Sequence, residues 1–413
     1  YLLGWFAYNL YFISNIISTN RLYYKAVKQG LPTPQSTGPY IRGITTYFQI
    51  IAIVYSFNAG FLQFFGLEDP DKSSKVGPVS VLFSQDCLFG SLGIAPESQL
   101  RAKVVFSLLV PIVKLVTISL YYVIKWKGVF NPKRKLRFLV IWLSIFIIEQ
   151  PAIVQTLIAY SSCSSIMPSV DPQEYVYNNE FFKCGIPEYN SFYYWVVLPF
   201  LNLYFWMMPL GFFLLLYYNR SNLDSEKMRV GMGGLYNEYN PQTYYWGVAI
   251  MFFKLVLIVF NQIFNDDVKT KALVFLMIFS GYRGLLNRKK PYNDPNLMTA
   301  EMLSIYAYLC TVFCSYLFVD SKKYIQLLCL LGMLVGNGLA IGFIGKQLYV
   351  ISKRAIIKGI DIIAKKVKHS ENKVDADQTT TQSVEISDMK QPTDTSKNEI
   401  EFMDVSVEKH EDK

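Results

Sequence analysis

Histidine is almost missing. Two occur in 413 residues, His369 and His410, and both lie in the polar C-terminal stretch. No histidine-based triad and no His-ligated metal site can be built from the rest of the chain, so an enzyme is the least expected class. Charge is scarce too. Asp, Glu, Lys and Arg make up 17% of the residues, against about 25% in an ordinary soluble domain. An initiator methionine is lacking, because the chain opens at Tyr1 inside an apolar run. No basic n-region or small-residue cleavage site precedes that run, so a processed or partial chain with an upstream portion missing is expected, not a signal peptide. Gly231-Met232-Gly233-Gly234 lacks the Lys-Ser/Thr of a P-loop. There is no K⁺-filter signature and no aromatic-basic nucleic-acid motif. No metal, cofactor or nucleic-acid partner is expected.

What remains is apolar. Hydrophobic residues are 52% of the chain, aromatics 16%, and the mean hydropathy is +0.23. Nine apolar runs are long enough to span a bilayer core of about 30 Å. They cover Tyr1–Ser18, Ile44–Gly66, Val104–Ile124, Phe138–Tyr160, Phe192–Tyr218, Tyr244–Phe264, Ala272–Leu286, Met298–Phe318 and Tyr324–Val350. The expected fold is an all-α polytopic transmembrane bundle over residues 1–350.

Orientation follows from Lys and Arg in the connections. With the N-terminus outside, the inner connections hold seventeen, among them Arg42, Lys133, Arg229 and Lys290, and the outer ones nine. This puts the C-terminus in the cytoplasm, with a surface or plasma membrane the expected location. Cysteine agrees with it. Cys87, Cys163 and Cys184 fall in outer loops, and Cys310, Cys314 and Cys329 fall within spans. An oxidising exterior lets Cys163 and Cys184 pair across a proline-rich loop. Cys87 is left without an assigned partner.

The last span carries Gly332-x-x-x-Gly336 and Gly338-x-x-x-Gly342. Small residues at this spacing let helices approach closely. Packing within the bundle is favoured there over a homo-oligomer interface. Beyond it, Ala355–Lys368 has isoleucine and valine at helical spacing with lysines on other faces. It reads as a basic amphipathic helix, within 351–368, on anionic inner-leaflet lipid, with a calmodulin-type target as the lesser alternative. Residues 369–413 carry twelve Asp/Glu and five Lys, a net of −7, and leave +16 on the first 368. This acidic tail is expected to be disordered.

Charges inside spans are costly and hence informative. Lys114, Glu149 and Lys254 lie at similar depth in three spans, so a buried polar cluster is expected. It is either a structural ion pair with a snorkelling lysine or a gate or substrate site. Pro151 follows Glu149 and is expected to kink that helix and free carbonyls beside the carboxylate. Arg283 and Glu301 sit near the inner ends of consecutive spans and are expected to form a structural pair. Acidic outer-loop residues such as Asp86 and Glu174 are compatible with a cation-attracting vestibule, although solvated loop surface is the commoner explanation.

One stretch goes further. Gly233–Phe264, GGLYNEYNPQTYYWGVAIMFFKLVLIVFNQIF, resembles the signature of the TRP-like membrane domain of fungal TRP-like/flavin-carrier proteins and of large Cys-rich, EGF-like surface proteins of ciliates and other protists. Gly234, Leu235, Tyr236, Tyr239, Tyr244, Tyr245, Trp246 and Lys254 match that pattern. Gly247 stands where the family often has Glu, and Phe253 where it often has Arg. Tyr47-x-Gln49, Asp86-Cys87, Cys163, Cys184, Tyr189, Lys290-Pro291-Tyr292 and Glu301 extend the resemblance over about 40–320. The resemblance implies a multipass surface protein beneath a missing Cys-rich ectodomain. The function expected is a channel-like or transporter-like domain for cations. The alternatives are a receptor, adhesion or scaffold protein on a non-conducting bundle, or a lipid or flavin carrier.

Overall fold

The computed structural model describes residues 2–30, 36–55, 93, 95–125, 132–167, 171–176, 182–264, 267–318 and 321–354. Cys87, the segment Ala355–Lys368 and the acidic tail lie outside these. Residues Tyr1–Ser352 form one compact unit, and it is mostly helical. Its main helices are α1 (Leu2–Lys28), α2 (Thr37–Tyr55), α3 (Pro96–Lys125), α4 (Pro132–Ser161), α5 (Pro187–Tyr218), α6 (Glu226–Gly231), α7 (Trp246–Ile263), α8 (Val268–Lys289), α9 (Pro295–Phe318) and α10 (Lys323–Arg354).

All nine apolar runs are helical where described. Among the described residues six helical stretches are long and apolar enough to cross a membrane: Ser98–Ile124, Phe138–Ser161, Pro187–Tyr218, Pro241–Ile263, Pro295–Phe318 and Lys323–Arg354. The other three runs are more polar or cut short. Asn9, Asn15 and Asn20 interrupt α1, and Lys269, Lys271, Arg283 and Arg288 interrupt α8. Helix α2 opens with polar residues and reaches Tyr55, where the described residues stop.

The sequence marks where the helices begin. Helices α3, α4, α5 and α9 all start at a proline, whose fixed φ and missing N–H suit the first helical turn. Asp267 caps α8, accepting from the backbone N–H groups of Lys269 and Thr270 at 3.0 and 3.1 Å. Lys290, with φ of 41°, closes α8 in the left-handed region.

Helix α5 shows how proline is absorbed. Five-residue π turns at Tyr193–Val197 and Leu203–Met207 precede Pro199 and Pro209. The Met208 N–H donates to the Leu203 carbonyl, one residue further back than in an α turn. The Tyr204 carbonyl would next take residue 209, which as proline has no donor. Gln150 Nε2 on α4 supplies that bond instead, at 2.8 Å. Helix α4 itself runs through Pro151 as one helix.

Side chains sort as a bilayer requires. Val104, Val154, Leu157, Leu255, Phe275, Phe279 and Val312 fill a core shared by α3, α4, α7, α8 and α9. Large apolar residues on the outer faces of α3, α5 and α10 are exposed, as lipid contact demands. On α5 the most exposed aromatics are Trp195 at 81% and Tyr218 at 77%. Twenty-three helical residues separate them, about 35 Å, which is the spacing of two interfacial aromatic belts.

Polar joints tie the helices internally. Asn337 on α10 donates to Thr311 on α9 at 2.9 Å, and Tyr47 on α2 donates to Asn337. Gly336 faces Cys310 and Gly332 faces Cys314 of α9, so the first Gly-x-x-x-Gly pair is used within the chain. At Gly338 and Gly342 nothing lies within 4 Å of an added Cβ.

The loop after α4 adds a short two-stranded hairpin to the helical bundle. Strand β1 (Cys163–Met167) pairs antiparallel with β2 (Asp171–Val176), Cys163 opposite Val176. A disulfide joins Cys163 to Cys184. The loop rests on an aromatic stack, with Tyr160 on Tyr189 at 5.2 Å and Tyr189 on Tyr193 at 5.9 Å. Arg101 of α3 lies 4.7 Å over Phe182 and bonds Glu188 at 2.8 Å.

Candidate functional site

The three mid-span charges do not form one cluster. Lys114 on α3 pairs with Glu149 on α4, and both are nearly enclosed, with side chains 4% and 14% exposed. Lys254 on α7 is turned elsewhere. Its Nζ donates to Gln49 Oε1 of α2 at 2.7 Å, and Gln49 Nε2 donates to the Ile148 carbonyl of α4 at 2.9 Å. Gln49 therefore bridges Lys254 to the helical turn beside Pro151. That turn is where proline withdraws a backbone donor.

The expected Arg283–Glu301 pair is also corrected. Arg283 lies 4.9 Å over the Tyr306 ring, a cation–π contact. Glu301 Oε1 accepts from the Tyr282 hydroxyl at 2.9 Å and feels the field of Lys254. The two residues begin on neighbouring helices, but the phase of each helix sends them to different sides.

Lys254 and Glu301 share an open-mouthed cavity with an inner volume of about 80 Å³. Its wall runs from Pro39, Glu238 and Tyr292, at the ends of helices and in loops, to Gln49, Lys254 and Ser304 within α2, α7 and α9. Lys254 stands eight residues past Trp246, about 12 Å along α7. Between the polar groups the wall is apolar, with Ile147, Ile250, Met251, Leu297 and Ile344. The Lys114–Glu149 pair is not part of it.

A second ion pair guards the loop side. Arg42 of α2 contacts Glu238 in the segment before α7, and its guanidinium lies 5.9 Å from the Tyr239 ring centre. Burial pushes the Glu238 carboxyl up, and the Arg42 guanidinium pulls it back. Sequence reasoning counted Arg42 only as a topology charge and did not single out Glu238. The one available signal was that Glu238 sits inside the aromatic-rich stretch Tyr236–Tyr245, an unusual setting for a solvated carboxylate.

That stretch folds as a rigid cap. Tyr239 pairs with Tyr292, the Asn240 N–H donates to the Pro291 carbonyl at 2.7 Å, and the Asn293 N–H donates to the Glu238 carbonyl at 3.0 Å. Asn240 and Asn293 side chains add bonds to the Lys290 and Tyr239 carbonyls at 2.8 and 2.9 Å. The cap thus zips the approach to α7 against the turn between α8 and α9. Two glycines are required. A Cβ on Gly247 would lie 2.2 Å from the Leu235 carbonyl oxygen, and one on Gly233 would lie 1.9 Å from Asn237 Nδ2. The α7 backbone approaches the cap too closely at position 247 for any side chain, glutamate included.

Chemically, the cavity offers two cations, two carboxylates and several hydroxyl and amide groups inside an apolar bundle. No cluster of metal-ligating side chains occurs among the described residues. The arrangement can bind and orient a solute or a charge. No family model, curated protein or solved structure matches the chain.

Proposed function

We propose that this chain is the membrane domain of a surface protein of the TRP-like type, channel-like or transporter-like and acting on cations. The cavity of Arg42, Glu238, Lys254 and Glu301 serves as its solute site. The observation that carries this reading is the cavity itself. A bundle that only anchors an ectodomain has no use for an open-mouthed cavity with four ionisable side chains in its wall, because a charge within a span, such as Lys254, costs about 2.5–3.5 kcal/mol to insert. In a transporter, polar groups at depth are matched to a solute. The resemblance of Gly233–Phe264 supports the same reading, as do the seventeen inner against nine outer Lys and Arg. The nine-span arrangement with an outer N-terminus belongs to this proposal.

The test is reconstitution of the purified chain in vesicles, with cation flux measured against empty vesicles. Glu301→Gln is expected to reduce flux at least about tenfold, since it removes a full charge from the proposed path. Glu149→Gln, which alters the pair outside the cavity, is expected to lower stability but to leave flux per folded molecule within about twofold. Flux no greater than in empty vesicles would support the non-conducting anchor instead. The Lys114–Glu149 pair is what that second reading predicts, a charge pair sealed between helices.

A further inference from the structure

Lys254 and Glu301 face one cavity without satisfying each other. Among the described residues neither makes an ion pair within 4.0 Å. Lys254 bonds the neutral amide oxygen of Gln49, and Glu301 accepts from the neutral phenols of Tyr282 and Tyr292. Arg42 and Glu238, by contrast, are already engaged with one another. The unspent recognition capacity of the cavity is therefore one ammonium and one carboxylate.

A ligand with a single charge would meet one of these and leave the other uncompensated, while adding net charge to a poorly hydrated space. A zwitterion meets both and adds none. The wall beside each charge is apolar. Ile250 and Met251 precede Lys254 by one helical turn, and Leu297 precedes Glu301 by one turn. A ligand seated between the charges thus finds an apolar surface for its body.

We propose that the cavity binds a zwitterion with an apolar body, its acid group on Lys254 and its ammonium on Glu301. This rests on the reading of the cavity as a solute site and places a zwitterion there in place of a bare cation, so that a cation crosses only as that solute's companion. The same chemistry occurs in a free apolar amino acid and in the phosphoethanolamine headgroup of a lipid.

The experiment uses the full chain in detergent micelles, titrated calorimetrically with L-leucine and with its two single-charge analogues, 4-methylpentanoate and 3-methylbutylamine. Glycerophosphoethanolamine, a phosphodiester whose two charges cancel as in the lipid headgroup, is the fourth probe. Leucine or glycerophosphoethanolamine is expected to bind at least about tenfold more tightly than either single-charge analogue, because one further charge-assisted contact forms. Whichever zwitterion binds more tightly assigns the source as free solute or lipid headgroup. Lys254→Gln is expected to reduce leucine to the affinity of 3-methylbutylamine. The exchange Lys254→Glu with Glu301→Lys is expected to restore the preference for the zwitterion.

Equal binding of zwitterions and single-charge analogues would overturn the proposal, as would a preference that survives Lys254→Gln. The analogue comparison on the unmodified chain decides the matter even where a variant does not fold. Cation flux without zwitterion binding would leave the transport reading standing and end this inference. Zwitterion binding without flux would do the reverse.

Discussion

Single residues carry two measurable consequences. Glu149 and Lys114 satisfy each other between α3 and α4, with little of either side chain exposed. Removing one partner leaves a buried charge alone, so Glu149→Leu is expected to cost about 3–5 kcal/mol in thermal unfolding of the detergent-solubilised chain. Adding Lys114→Leu is expected to recover most of that loss, since a well-packed apolar pair replaces an ion pair at little cost. A double variant as unstable as the single one would show that the pair is not the unit. Gly247 is the second case. Alanine there drives a Cβ against the Leu235 carbonyl, and the cap cannot retreat because it is zipped to the turn at Pro291. Gly247→Ala is expected to cost at least about 1–3 kcal/mol, read as a lower unfolding temperature. An unchanged temperature would mean that the cap yields.

At the scale of the helix, boundaries are set by local chemistry that the apolar runs alone did not mark. Prolines open four helices, and Asp267 caps α8. Bonds from Thr270 hold the Asp267 carboxyl below the usual aspartate range, with Lys269 adding to the effect. A depressed carboxyl stabilises the fold above its unfolded value, and that contribution fades as pH falls through its folded value. Amide protection, taken relative to the intrinsic exchange rate at each pH, is therefore expected to fall in the first turn of α8 in acid, only below the ordinary aspartate range. Asp267→Ala is expected to show the reduced protection already at neutral pH. Equal protection of the two proteins at neutral pH would remove the cap from the account.

Helix phase was less legible. Depth in a span is a count along the sequence, which offers Glu149 two partners, Lys114 and Lys254, without choosing between them. The direction a side chain takes around the axis is set by neighbouring helices, and no count reveals it. Lys254 lies at the same depth as the other two but turns toward α2, where Gln49 waits.

For the whole molecule, composition foretold a helical membrane bundle and cysteine spacing foretold the Cys163–Cys184 bridge. Neither foretold the cavity. Its wall draws on α1, α2, α4, α7, α9 and α10, so it exists only once the bundle has closed. Arg42 and Glu238 lie 196 positions apart in sequence. Each looked like a loop charge until the fold brought them together. The small hairpin after α4 was hidden too, because its strands are short and polar. The proposed orientation remains open to a direct check. A cysteine placed at Lys133, in a chain whose own free thiols are replaced, is expected to react with an impermeant maleimide only after the cells are opened. Reaction on intact cells would invert the bundle.

The bond between Gln150 and the Tyr204 carbonyl has a consequence for inheritance. Pro209 creates the vacancy that Gln150 fills. Replacing Pro209 by alanine returns a backbone donor to that turn and makes the glutamine dispensable. Gln150→Leu is expected to cost about 1–3 kcal/mol in the parent chain and close to nothing beside Pro209→Ala. A double-mutant cycle that comes out additive would refute the dependence. Where it holds, a lineage that loses the proline is released to lose the glutamine, and one that keeps the proline is not. Positions 150 and 209 should then change together among descendants of this chain, an epistatic pair joined through a carbonyl that belongs to neither.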